Sequence, residues 1–282
     1  MNEATICKNC GHSFTGNYCN NCGEKIYHAH DKSLHHILHD VVHFITHFDG
    51  AFFKTIKSIF IHPGLVSLEY VAGVRKKYFK PVSLYLLCVV IYLLFPLFRG
   101  LNMEFYGYTN KNSEYQRITM PVAKQKAINK DLSFEVLAKK YDEKSAKVSK
   151  ILLLLYLPLT ALVLSMLYFK QRRYFFDHFI LSAELNSFLV AFGFLMLPFS
   201  LYLIDRLGHF ISNDFHLRIS NAAIEFIIEG GFLFIIVVAL KRFYNQNWLW
   251  TVVKSLLFLA IFLVLIVPIY RIILFFTTMF FI

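Results

Sequence analysis

Long, unbroken apolar runs constrain this chain more than any other feature. A helix that crosses the hydrocarbon core of a bilayer needs about 20 apolar residues. Inside lipid, every backbone polar group must find its partner within the chain, which leaves helices or closed barrels. PVSLYLLCVVIYLLFPLF (81–98) comes close to that length. ILLLLYLPLTALVLSMLYF (151–169), FILSAELNSFLVAFGFLMLPFSLYLI (179–204) and ISNAAIEFIIEGGFLFIIVVAL (219–240) meet it, and the tail from Trp250 to Ile282 exceeds it. Only 17% of the residues are charged, against about 25% in ordinary soluble domains. The expectation is therefore an all-α polytopic membrane protein with about five transmembrane helices, near 81–98, 151–169, 179–204, 219–240 and 250–275. The segment after Pro268 either completes the last span or re-enters. The polar start, rich in Cys and Asn, is not a signal peptide, so targeting falls to the first span.

The chain opens with CKNCGHSFTGNYCNNCGEK. Cys7 and Cys10 form one CxxC and Cys19 and Cys22 a second, each followed by glycine. A tight turn of this kind aims two thiolates at one point, and two such knuckles supply four soft ligands in a tetrahedron, the donor set that suits Zn²⁺. Residues 1–25 then read as a small zinc ribbon whose structural Zn²⁺ supplies most of its folding energy. Two disulfides, an iron–sulfur cluster or a redox pair are the alternatives. His12 reads as a hairpin residue. Free thiolates call for a reducing compartment and hence a cytosolic head.

Residues 26–80 follow as an amphipathic interfacial helical segment with a basic flank. In SLHHILHDVVHFITHFD (33–49), Leu34, Ile37, Leu38, Val41, Val42, Phe44, Ile45 and Phe48 share one half of the helical wheel. The histidines and Asp40 share the other. The apolar face continues through Phe52, Ile56, Ile59 and Phe60 until Pro63-Gly64. Such a helix lies in the membrane interface or packs on the bundle. His35, His39, His43 and His47 step by four, so they form a plain polar face, a second metal site with Asp40, or a pH-sensing face. Arg75, Lys76, Lys77 and Lys80 precede the first span and read as contacts to lipid headgroups.

The ordered series of a CxNCG…CxxCG ribbon, HFDGAFFKTIKSIFIHPG and EYVAGVRKKYFKP resembles an uncharacterised bacterial family of zinc-ribbon-headed multi-pass membrane proteins, a domain of unknown function. The resemblance runs from about Cys7 to Leu94. It implies a membrane location and a metal-binding head, and it carries over no activity.

A cytosolic N-terminus places 99–150 as an extracytoplasmic loop and puts basic clusters at Lys170–Arg173 and Lys241–Arg242 on the inner side. From Leu132 the loop reads as a helix running straight into the second span. Ionisable or polar groups inside spans face a bundle interior or water. Glu184, Asn186, Glu225, Glu229 and Arg271 are the candidates, as a packing network, an ion path or catalytic groups. A pair between Glu229 and Lys254 or Arg271 could equally fix the packing. No HExxH, GxSxG or Walker loop is present, so an enzyme is disfavoured and no catalytic residue is named. The favoured reading is a protein of the bacterial inner membrane, a scaffold or accessory subunit with a protein partner or a homo-oligomeric state. A small ion- or proton-coupled transporter or channel and an interfacial metal-dependent lipid-modifying enzyme are the alternatives. The net charge of +11 is accounted for by membrane flanks, which disfavours nucleic acid as a partner.

Overall fold

The computed structural model describes residues 4–24, 50–95, 102–171, 173–211 and 220–282. His35, His39, Asp40, His43 and His47 lie outside the described residues, so the second metal or pH-sensing face has no structural counterpart below.

A two-stranded antiparallel ribbon, β1 (Thr5–Ile6) and β2 (Ser13–Phe14), starts the chain. Among the described residues, every regular element after it is a helix. The helices are α1 (Gly50–Ile61), α2 (Leu65–Val71), α3 (Pro81–Leu94), α4 (Phe105–Thr109), α5 (Gln116–Asn129), α6 (Phe134–Leu152), α7 (Tyr156–Leu167), α8 (Phe175–Phe188), α9 (Leu197–Ile211), α10 (Asn221–Tyr244), α11 (Trp248–Ile261) and α12 (Val267–Phe281). A π-helical stretch, Leu189–Met196, joins α8 to α9, and another, Phe262–Ile266, joins α11 to α12.

Among the described residues, three continuous helices are long and apolar enough to cross a membrane: Phe175–Phe210, Ala223–Tyr244 and Trp248–Phe281. α6 and α7 make a fourth if the bent pair counts as one span. α3 is apolar, but its 14 residues extend only about 21 Å at the helical rise, short of the roughly 30 Å hydrocarbon core. The expected straight run from the loop into the second span is broken by a 46° bend at the 3₁₀ turn Leu153–Leu155.

Proline accounts for the breaks. Pro158 has no N–H for the carbonyl of Leu154, and its ring crowds that turn. The chain tightens to 3₁₀ just upstream. Tyr85 donates its hydroxyl to the Leu153 carbonyl at 2.5 Å and Tyr270 donates to the Ser149 carbonyl, so carbonyls at the bend are met by side chains of other helices. Pro198 and Pro268 each come two residues after the end of a π-helical stretch. There the helix widens rather than tightens to seat the ring, and it continues unbroken. The tail after Pro268 is thus the second half of one long helix.

Two cores result. The main one gathers Tyr85, Val89, Tyr156, Leu164, Leu181, Ile236, Phe258 and Tyr270 between the long helices. The second lies beyond it. Phe105, Tyr108, Leu137 and Tyr141 of α4 and α6 close on Phe275 and Met279 of α12. The polar stretch read as a loop is, over 105–152, a helical layer built on the end of the last helix.

α1 and α2 form a helical hairpin packed on the bundle, the second of the two placements open to an amphipathic segment here. Phe52 and Ile59 are buried in the main core. Near its start, α1 is tied down by Thr55, whose hydroxyl accepts from the Phe79 N–H at 2.8 Å. Near its end, the Phe60 ring lies 5.1 Å from that of Phe188 in α8. The chain therefore descends along the bundle, reverses at Pro63-Gly64 and climbs back through α2. Gly64 sits at φ +79°, and a Cβ there would meet the Ala239 Cα at 2.8 Å and its carbonyl oxygen at 2.7 Å. Gly64→Ala is expected to destabilise the fold by more than the about 1–2 kcal/mol of the left-handed conformation alone, because α10 must also back away. Thermal unfolding of the purified variant in mild detergent measures it.

Candidate functional site

The cysteine head is built by two matching turns. The Gly11 N–H donates to the Cys7 carbonyl at 2.9 Å, and the Gly23 N–H to the Cys19 carbonyl at 2.7 Å. Both glycines have positive φ, +73° and +66°. The Cys7 N–H donates to the His12 carbonyl at 2.9 Å, which makes His12 part of the hairpin backbone. These turns bring the sulfurs of Cys7, Cys10, Cys19 and Cys22 within 4.8 Å of one another. Cys7 and Cys22 Sγ are 3.5 Å apart and Cys10 and Cys19 Sγ 3.6 Å. A tetrahedron with metal–sulfur bonds of about 2.3 Å has edges of about 3.8 Å, and a disulfide measures about 2.05 Å. The four cysteines, all free thiols, fit a closed four-thiolate metal site. The head's own core is Cys7, Phe14 and Cys19, with Cys22 against them, too little to fold on.

The head does not hang loose. Glu24 accepts from the Arg75 and Lys76 backbone N–H groups at 3.4 and 3.0 Å. Lys76 Nζ donates to the Cys22 carbonyl and Lys8 Nζ to the Ala72 carbonyl, each at 2.9 Å. The strap between α2 and α3 thereby clasps the cysteine turns. Arg75 turns its guanidinium over the rings of Tyr70 and, at 5.7 Å, Phe176 in the first turn of α8. Lys77 pairs with Glu69 at 2.5 Å. Arg75, Lys76 and Lys77, read together with Lys80 as headgroup contacts, thus have protein partners.

Glu184 is 2% exposed, about two and a half turns into α8. A carboxylate buried this deeply is tolerated only when hydrogen bonds replace its water. It accepts from the Gly64 N–H at 2.7 Å, the Ser67 N–H at 2.8 Å and the Ser67 hydroxyl at 2.5 Å. Those are free donors at the start of α2, which has no side-chain cap of its own. Arg242 closes the other side by donating Nη1 to the Pro63 carbonyl at 2.5 Å. Glu184 is the receptor for the tip of the α1–α2 hairpin. Sequence alone flagged Glu184 but not its partners; the signal lay in Pro63-Gly64 followed by Ser67, a turn and a hydroxyl with no local use.

Asn186 does a related job two residues on. Its Nδ2 donates to Thr160 Oγ1 at 2.9 Å and to the Ser182 carbonyl at 2.8 Å, and Ser182 Oγ donates to the Leu157 carbonyl at 2.8 Å. These bonds join α7 to α8 next to the Pro158 bend, in the manner of polar contacts between membrane helices.

Glu225, Glu229 and Arg271 come together elsewhere, on the wall of a cavity of about 300 Å³ between α10, α11 and α12. Leu189 and Phe194 from one π-helical stretch and Phe262 and Leu263 from the other complete it. Arg271 Nε is buried there with no hydrogen-bond partner among the described residues. The alternative pairing of Glu229 with Lys254 or Arg271 is not seen among the described residues: Lys254 lies over the Tyr168 ring, 4.1 Å from its centre, at the other end of the bundle.

Residues 49–93 match a family described as a protein of unknown function (DUF3667). That span holds α1, α2, the strap and nearly all of α3, so the matched segment is the hairpin with its clasp. No curated protein and no solved structure matches this chain.

Proposed function

We propose that this chain is a scaffold or accessory subunit of the bacterial inner membrane, with its N-terminus in the cytosol and a structural Zn²⁺ in a zinc ribbon formed by Cys7, Cys10, Cys19 and Cys22. The observation that carries the reading is the clasp. A closed thiolate shell leaves no coordination position for a substrate, so the metal serves to shape the head. Glu24, Lys76 and Lys8 hold that head in a fixed pose on the bundle. A rigidly posed module suits docking better than chemistry. The head exposes Ile6 and Tyr18, 69% and 60%, an aliphatic and an aromatic group of the kind that anchors protein interfaces.

The test is a mild-detergent pull-down with metal analysis. One zinc per chain and a co-purified protein partner are expected. Ile6→Asp with Tyr18→Asp should weaken capture by tenfold or more, roughly one hot-spot contact, at unchanged zinc content, and Glu229→Gln should not. Capture that ignores the head variants defeats the reading.

The cavity lined by Glu225, Glu229 and Arg271 supports a second reading, passage of a cation or proton through the bundle. It requires flux in proteoliposomes that Glu229→Gln abolishes. The metal-dependent lipid-modifying alternative rests on Asp40 and His43, which lie outside the described residues.

A further inference from the structure

A second cavity, of about 460 Å³, opens at the end of the bundle where the head sits. Its walls carry Lys170 from the turn Phe169–Gln171 and Lys254 from the second turn of α11, with Tyr168, Gln246, Asn247 and Trp250. No carboxylate among the described residues lines it. Lys254 lies over the Tyr168 ring, and Lys170 over the ring of Phe169, with the charge 5.9 Å from the ring centre. Neither ammonium forms an ion pair among the described residues.

Other features add to the same sign. α11 begins at this wall, and Asn247, its N-cap, makes no side-chain cap bond, so the first-turn N–H groups and the positive end of the helix are left for another acceptor. Gln246 Oε1 is buried without a hydrogen-bond partner among the described residues; turning the amide over presents its NH₂ instead. Lys241 donates to the Gln246 carbonyl just behind. Asp177, the nearby acid on α8, is outside the lining.

The surroundings say what kind of anion fits. Phe169, Trp248 and Trp250 are 68%, 57% and 60% exposed, a belt of aromatics at the level where headgroups meet acyl chains. Val253 and Leu257, exposed on the next turns of α11, continue from Trp250 as an apolar track along the helix.

We propose that this cavity holds the phosphate of an anionic phospholipid, with Lys170 and Lys254 on its oxygens and an acyl chain along Val253 and Leu257. A choline headgroup brings its own cation next to both lysines and is disfavoured. The inference needs the membrane placement of α11 but not the docking role of the head.

The test uses the full-length chain in mild detergent, with lipid retention read by native mass spectrometry. Phosphatidylglycerol should be retained at about tenfold lower concentration than phosphatidylcholine, the worth of roughly one charge-assisted contact. Lys170→Gln with Lys254→Gln should erase that preference. Phosphatidylglycerol with brominated chains should quench Trp250 fluorescence in a Trp248→Phe background, and inorganic phosphate should not relieve the quenching. Equal retention of the two lipids by the unmutated chain overturns the proposal, whether or not the double variant folds. A preference that survives the double variant overturns it too, and displacement by inorganic phosphate would reassign the cavity to the free ion.

Discussion

Glu184→Ala is expected to lower the stability of the purified protein by about 2–6 kcal/mol, because it strands two buried backbone N–H groups at about 1–3 kcal/mol each. The Gly64 and Ser67 amides point into protein at the hairpin tip, and no water replaces the carboxylate in so tight a turn, with Gly64 against Ala239. The Ser67 hydroxyl suffers less, since the Ile180 carbonyl lies 3.2 Å away as a second acceptor. This sets an order. Glu184→Gln keeps one carbonyl oxygen but turns an NH₂ toward a donor, and should cost less than alanine. Ser67→Ala removes one hydroxyl and should cost about 1 kcal/mol. Thermal unfolding in detergent gives the ranking, and limited proteolysis near Pro63 reports whether the tip has come loose. The capping role fails if Glu184→Ala unfolds with the wild-type midpoint. A buried acid retained for ion passage would behave in the opposite way: flux would fall in Glu184→Gln while the midpoint held.

Helix identity and membrane character were legible because both follow from local composition: a run such as 219–240 has few alternatives in any environment. Partner choice was not. The face carrying Phe52, Ile56 and Ile59 looks the same whether it meets acyl chains or α8, and only the polar yet buried Thr55 and Ser58 hint at protein. The prolines were readable as disturbances. Whether the helix tightens, as before Pro158, or widens, as before Pro198 and Pro268, depends on what tertiary neighbours offer the displaced carbonyls; at Pro158 these are Tyr85 and Tyr270. The i, i+4 step placed Glu225 and Glu229 on one face, but the arrival of Arg271 beside them depends on the register between two long helices, which no local rule contains. The four cysteines were the easiest part, since their spacing alone closes the site.

Stripping the metal is expected to unfold residues 4–24 and leave the main helical core standing. The head has almost no apolar interior, whereas metal binding to such small modules contributes about 10–16 kcal/mol at neutral pH. Hydrogen exchange should then separate the parts. Amides of the two knuckles should lose protection on chelation, along with those of Arg75 and Lys76, whose acceptor Glu24 leaves with the head. Amides of α8 should not change, and returning zinc should restore the rest. Cys22→Ser should mimic chelation and resist rescue. Acid should act in the same direction. The Glu24 N–H pulls the Cys22 thiol down to about 6, so Cys22 is a ready thiolate at pH 7 and regains its proton below about 6. Burial pushes the Cys7 thiol up to about 11, so an incoming ion at neutral pH must displace that proton. Both signs make the metal compete with protons: apparent affinity rises with pH between those values, by about tenfold per unit for each proton displaced, and falls faster below pH 6 as Cys22 joins. Chelation that leaves the protection of residues 4–24 intact would mean that the head folds without its metal.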